Sequence, residues 1–262
     1  MSDTNISNDG ALHQLLAVRQ DLEKKGQMIL NETVNTFIKK SEHFDGVIKT
    51  YTPMAEGSEE IPPEVKEMVT TVGKKILYSE TAITAALDAR VSVEESNASG
   101  TVKAELVVQN GDQVQSFGSF SAISLLALEE WLTRIRTMYQ DIPTLDPTKT
   151  WFKDTNQGEG IYKTNPEIKF RSVTQKVPLV LSPATDKFPA QVQVYDNNVQ
   201  VGRYSTEYLS GKITPAEKSS ILERIDNLIV AVKKAKAKAN QATAIQVKVG
   251  QKLFDFINSG SI

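Results

Sequence analysis

The chain has no cysteine. That removes disulfides, thiolate nucleophiles and zinc–cysteine sites together, and with them the small stapled extracellular scaffolds. Histidine is scarce too: only His13 and His43 occur, in no metal-ligand spacing and beside no nucleophile motif. No run approaches the ~20 apolar residues that span a bilayer. The stretch from Met1 to Gly10 is polar, and His13, Gln14 and Arg19 interrupt the apolar residues after it, so there is no signal-peptide core. A cytoplasmic protein without membrane segments is therefore expected. An excess of one charge is also missing: 30 Lys plus Arg against 32 Asp plus Glu leave −2. A dedicated duplex-DNA binder carries a basic excess to displace counterions, so any nucleic-acid contact must be local.

What is present suits an ordinary folded protein. With 262 residues, 40% hydrophobic and 24% charged, the chain is long enough to bury a core without staples. From Leu12 to Ile38 apolar residues recur every three to four positions, which predicts one long amphipathic helix weakened at Gly26. Phe44 to Pro53 loses that period and reads as a loop and a short strand. Pro62-Pro63 is expected to open a second helix whose buried side includes Val65, Val69, Val72, Ile76, Ile83 and Leu87. Val102, Ala104, Leu106 and Val108 alternate with polar residues, and Asn110-Gly111 predicts a tight hairpin turn. Ser119 or Ser121 then caps a third helix that ends before Pro143.

The segment 143–167 carries Pro143, Pro147, Gly158 and Gly160 and is expected to be an irregular loop or linker. Beyond it, Val177, Leu179 and Leu181 alternate. Val192 and Val194 are expected to face Val199 and Val201 across a turn at Asp196-Asn197-Asn198. Pro178 places the first of these strands at an edge, because proline cannot donate to a ladder. Thr214-Pro215-Ala216-Glu217 is a capping box that starts a long helix. Val247, Val249, Leu253, Phe254, Phe256 and Ile257 make an apolar tail hinged at Gly250. The expected class is α+β, with long amphipathic helices packed on small antiparallel sheets formed by β-hairpins. The expected divisions are 1–142, helical with one hairpin; 143–167, loop; 168–240, hairpin plus long helix; and 241–262, apolar tail.

Chemistry is thinly signalled. Gly73-Lys74-Lys75 lacks the upstream glycine and following Ser or Thr of a phosphate-binding loop, and Gly158-Glu159-Gly160 stops short of a dinucleotide fingerprint. Glu129-Glu130 and Glu94-Glu95 are adjacent helix residues that diverge rather than converge on one bond. Asp141, Asp146, Asp154 and Glu159 show no calcium-loop register. Catalytic residues, metal ligands and cofactors are accordingly expected to be absent. Trp151, Phe152, Tyr162 and Phe170 interleave with Lys149, Lys153, Lys163, Lys169 and Arg171, the mixture with which stacking platforms hold single-stranded nucleic acid or anionic ligands. Against this stands a loop pinned by its own aromatics, which is favoured. The lysines from Lys233 to Lys238 need no ligand beyond a helix C-terminus.

The runs Phe44-Asp45-Gly46-Val47-Ile48-Lys49-Thr50-Tyr51, Ile61-Pro62-Pro63-Glu64, Leu181-Ser182-Pro183-Ala184-Thr185 and Val201-Gly202 through Leu209-Ser210-Gly211 resemble a family of uncharacterised bacterial and phage proteins of similar length. The resemblance covers most of the chain up to about Asn240, with the tail expected to lie beyond it. It implies a shared fold and a bacterial or phage setting, and it supplies no activity. The first expectation for function is a non-enzymatic structural or scaffold protein that forms a homo-oligomer, with Val247, Val249, Leu253, Phe254, Phe256 and Ile257 at the interface. A single-stranded nucleic-acid or anionic-ligand module is the alternative, and an enzyme ranks last.

Overall fold

The computed structural model describes residues 12–54, 60–110, 113–184, 189–241 and 249–258. Their order is α1 (Leu12–Lys39), a short 3-10 turn (Ser41–Phe44), β1 (Asp45–Pro53), β2 (Glu64–Lys66), α2 (Val72–Asn97), β3 (Lys103–Asn110), β4 (Gln113–Ser121), α3 (Ala122–Gln140), β5 (Trp151–Lys153), β6 (Tyr162–Thr164), β7 (Glu167–Ser182), β8 (Gln191–Ser210), α4 (Pro215–Ala239) and α5 (Gly250–Asn258). The class is α+β, and both sheets are antiparallel. Contacts divide the chain into two compact units, each assembled from separated stretches.

One unit comprises Met1–Arg19, Leu87–Thr133 and Arg224–Ile262. Its core joins Ala104 and Leu106 of β3, Leu125 and Leu132 of α3, and Val232, Ala235 and Ala239 of α4. The alternation along β3 and the three-to-four spacing along the helices put these residues on facing sides. Ser121 caps α3: its Oγ accepts the Ser124 amide at 3.3 Å. Glu95, near the end of α2, accepts the Ser121 amide at 2.6 Å and lies 2.7 Å from the Lys103 ammonium. Burial alone raises its carboxyl, but Lys103 and donors from Ser121 and Ser124 outweigh burial and bring it down to about 2. Lys233 and Lys236 meet the Glu129 carboxylate on α3, so two cations of the lysine cluster are used for packing. Asn110 is the last paired residue of β3, opposite Gln113; the rest of the expected turn lies outside the described residues.

The other unit comprises Gln20–Ala86 and Arg134–Glu223. Its sheet runs β2-β1-β8-β6-β5, with β7 pairing β8 beside β6. Phe44 is fully buried and packs on Phe37 with ring centroids 5.8 Å apart. Gly211 donates its amide to the Phe44 carbonyl at 2.8 Å and accepts the Val72 amide at 2.9 Å. A Cβ at Gly211 would sit 2.8 Å from Thr71 Cα, so only glycine fits between these elements. The capping box forms as expected: the Glu217 amide donates to Thr214 Oγ1 at 3.1 Å, and the Thr214 amide donates to the Glu217 carboxylate at 2.8 Å.

Three expectations are corrected. Pro62-Pro63 precedes strand β2 rather than a helix; proline's fixed φ suits extended chain equally well, and β2 is held against β1 by pairs such as Lys49 with Glu64. The helix starts instead at Val72 behind Thr71, whose Oγ1 accepts the Lys74 amide at 3.2 Å, and Val65 and Val69 are exposed. Asp196-Asn197-Asn198 is not a turn: it lies inside β8, opposite Lys176, Gln175 and Thr174. Val192-Val194 and Val199-Val201 are successive parts of one 20-residue strand. The parity changes between them, so Val192 and Val194 lie on one face and Val199 on the other; just beyond, Arg171 pairs Gly202 while Ser172 pairs Gln200, leaving Val201 as the extra residue of a bulge. Segment 143–167 is folded rather than a linker: it contains β5 and β6, a bridge from Thr144 to Ile213, and buried Leu145, Ile161 and Tyr162.

Candidate functional site

The residues expected to form a binding platform do not converge. Trp151 is half-buried and donates its indole N–H to the Asp146 carbonyl at 2.8 Å. Phe152 is exposed on β5. Tyr162 is buried beneath a cavity of about 420 Å³ lined by Lys153, Asp154, Gly158, Gly160, Lys212 and Glu217, among others. The polar groups there already serve one another. Tyr162 donates its hydroxyl to Glu217 at 3.3 Å, and burial with that carboxylate raises its pKa. Burial raises the Glu217 carboxyl, but the Thr214 amide and hydroxyl outweigh it and leave a lowered pKa. Lys163, 3.1 Å from Asp154, holds that carboxyl below its usual range, and Lys212 pairs with Asp45 at 2.6 Å. This corner is capping and cross-bracing.

Lys169 and Arg171 belong elsewhere. Tyr51 on β1 pairs Tyr204 on β8, which pairs Lys169 on β7, so all three side chains share one sheet face. The two tyrosine rings lie 5.0 Å apart. The Lys49 ammonium sits 4.8 Å from the Tyr204 ring, the Arg171 guanidinium 5.7 Å from Tyr51, and Lys149 lies over Tyr208 on the same face. Each such cation–ring contact contributes ~0.5–1 kcal/mol at an exposed position. Tyr51 lies across Gly202, where any Cβ would overlap its hydroxyl. Tyr51, Tyr204 and Lys49 escape sequence reasoning because they are brought together by pairing across about 150 residues; the spacing Lys49-Thr50-Tyr51 is the only local trace.

The second surface is the distal half of the β7–β8 hairpin. Beyond the bulge, Ser172–Ser182 pairs with Gln191–Gln200, while β1 stops pairing β8 at Gly202. This ribbon has apolar side chains on both faces. Val173, Val177 and Leu179 lie on one face with Tyr195 and Val199; Pro178 and Val180 lie on the other with Val192 and Val194. Leu179, Val180, Val192, Val194 and Tyr195 each keep about half their surface in water. A two-stranded hairpin is marginal by itself, and an apolar two-sided one leaves much surface to cover.

The tail forms α5; Val249 just before it and Leu253, Phe254 and Phe256 within it are exposed. Val247 and the side chain of Ile257 lie outside what is described. Among the described residues there is no group of His, Asp or Glu that could hold a metal ion, and no helix long and apolar enough to cross a membrane.

A family model described as "Family of unknown function (DUF7873)" matches residues 10–260. The match reaches past Asn240, so the tail lies inside the family pattern rather than beyond it. No curated protein and no solved structure matches the chain.

Proposed function

Because the chain belongs to this family of unknown function over residues 10–260, no relative lends it an activity, and we propose from its own surfaces that it is a non-enzymatic structural or scaffold protein that self-associates in a bacterial or phage-infected cytoplasm. The observation that carries this reading is the distal β7–β8 ribbon, apolar on both faces and exposed along its length. Burying such side chains contributes about 25 cal/mol per Å² of apolar surface, and a second copy supplies that cover. The apolar side chains of α5 add a further adhesive surface.

Light scattering on the full chain is expected to give a mass that is a multiple of the protomer at micromolar concentration. Leu179→Lys combined with Val194→Lys places charge at exposed positions, which leaves the fold intact and lowers the mass; Phe254→Asp measures the share of the tail. A native protein that stays monomeric across the concentration series removes the proposal.

A second reading rests on the tyrosine–cation face, where Tyr51 and Tyr204 are flanked by Lys49, Lys169 and Arg171. Rings beside cations suit a single-stranded nucleic acid or another anionic ligand. On this reading Tyr204→Ala weakens retention on single-stranded DNA by ~1–3 kcal/mol per stacked base, and Lys169→Ala flattens the salt dependence. Retention that neither substitution changes at any salt concentration rules it out.

A further inference from the structure

The two long edges of the ribbon are not equivalent. The distal stretch of β7, Ser172 to Ser182, carries Lys176 and Pro178, the two residue types that most often blunt an exposed strand edge. Proline has no N–H to offer a neighbouring strand. The distal stretch of β8, Gln191 to Val201, has no proline, no glycine and a single charge, Asp196. Glutamine, asparagine, valine and tyrosine fill the remainder, a composition of high β-propensity and low charge that is prone to strand pairing. Among the described residues nothing pairs with its outer edge until Met54 donates to the Val201 carbonyl at 3.0 Å.

We infer that the outer edge of β8 pairs antiparallel with the same edge of a second copy of this chain, about a two-fold axis at Asn197. The inference rests on the self-association proposed above and names the surface that carries it. A row of backbone donors and acceptors is complementary to its own two-fold image. The paired strands select no oppositely charged partner, since among their described distal residues the charges, Lys176 and Asp196, are directly paired across the hairpin. The union is a four-stranded sheet, β7-β8 joined to β8-β7 of the second copy. It passes the three-strand threshold that an isolated hairpin does not reach.

Side chains select the axis. The middle of the free edge is Asp196, but an axis there sets two carboxylates directly opposite each other, which is destabilising. Moving the axis to Tyr195 places Asp196 against Val194. At Asn197 the amides face each other, Asp196 meets Asn198, and Tyr195 meets Val199, an aromatic and β-branched pair of the favoured kind. Val173 and Val177, opposite Val199 and Tyr195 on β7, extend that apolar strip into both copies.

The absence of cysteine from the chain makes a direct test available. Asn197→Cys puts one thiol on the axis, with Cβ atoms ~4.5–5.5 Å apart across the pair, from which a small shift closes a disulfide. Gln175→Cys, the exposed residue directly opposite Asn197 on β7, is the matched control on the blunted edge. Each full-length variant is treated with diamide, which accepts the two electrons and two protons released as two thiols form a disulfide. Non-reducing electrophoresis is expected to show N197C largely as a covalent dimer and Q175C as monomer. Light scattering of the reduced variants separates the possible failures. If both remain multimeric but N197C does not cross-link, or Q175C cross-links equally well, the edge and axis are wrong while self-association stands. If both and the native protein are monomeric, the inference and the reading beneath it fall together.

Discussion

Phe44→Ala is expected to lower the stability of the protein by ~3–5 kcal/mol, the range for a buried phenylalanine that leaves a cavity behind. The site cannot collapse easily. Phe44 is wholly buried, it rests on Phe37, and its carbonyl accepts the Gly211 amide and, at 3.3 Å, the Ser210 hydroxyl. The backbone on either side is thus fixed by the end of β8 and cannot move in to fill the space. Losing the ring–ring contact accounts for ~0.5–1.5 kcal/mol of the effect. Denaturant unfolding followed by circular dichroism measures it, with Phe44→Leu expected to recover part of the loss. A midpoint change equivalent to less than about 1 kcal/mol would show that the position is not the keystone its burial indicates.

The second large effect belongs to Glu95 and depends on pH. Its carboxylate holds the Ser121 amide at 2.6 Å, just where α3 begins, and faces Lys103. Glu95→Gln is expected to cost ~1.5–3 kcal/mol at neutral pH, the range for hydrogen bonds to a charged group. The folded-state pKa is lowered to about 2 from an ordinary 4.5. The unfolded chain therefore binds the proton more readily, and the stabilisation is fully present above the ordinary glutamate range. It is lost as pH falls from there through about 2. The gap between native protein and variant should close over that window. A gap that stays constant down to the acid limit would mean the charge on Glu95 contributes nothing.

Local chemistry is the legible part of this chain. Thr214 and Glu217 form their capping box, Ser121 starts α3, Ala104 and Leu106 face a core, and Pro178 marks an edge strand, because each of these depends on neighbours a few residues away. Signals that two structures share equally mislead. A proline pair fits the start of a helix or an extended strand, and the pairing of β2 with β1 decides between them. Asp196-Asn197-Asn198 has turn composition, yet continuous pairing with β7 keeps the three residues extended, and Thr174 donates its hydroxyl to Asn198 at 2.8 Å. The tyrosine–cation face is hidden for a different reason. Its members come from three strands whose register only the folded sheet supplies; Lys169 and Arg171 stand out in the sequence, but beside aromatics that the fold places elsewhere.

The extra residue at Val201 constrains how this hairpin can change in length. Side chains alternate along a strand, so the bulge acts as a half-step that decides which residues of the outer ribbon share a side with Tyr204. If Val201 paired with Ser172 instead of standing out as an extra residue, every residue of β8 beyond it would shift by one and Tyr195 and Val199 would turn over to the opposite side. Insertions or deletions further out preserve the pattern only when both strands gain or lose residues by twos. Relatives with longer or shorter hairpins are expected to differ by such even steps, with the half-step kept in place.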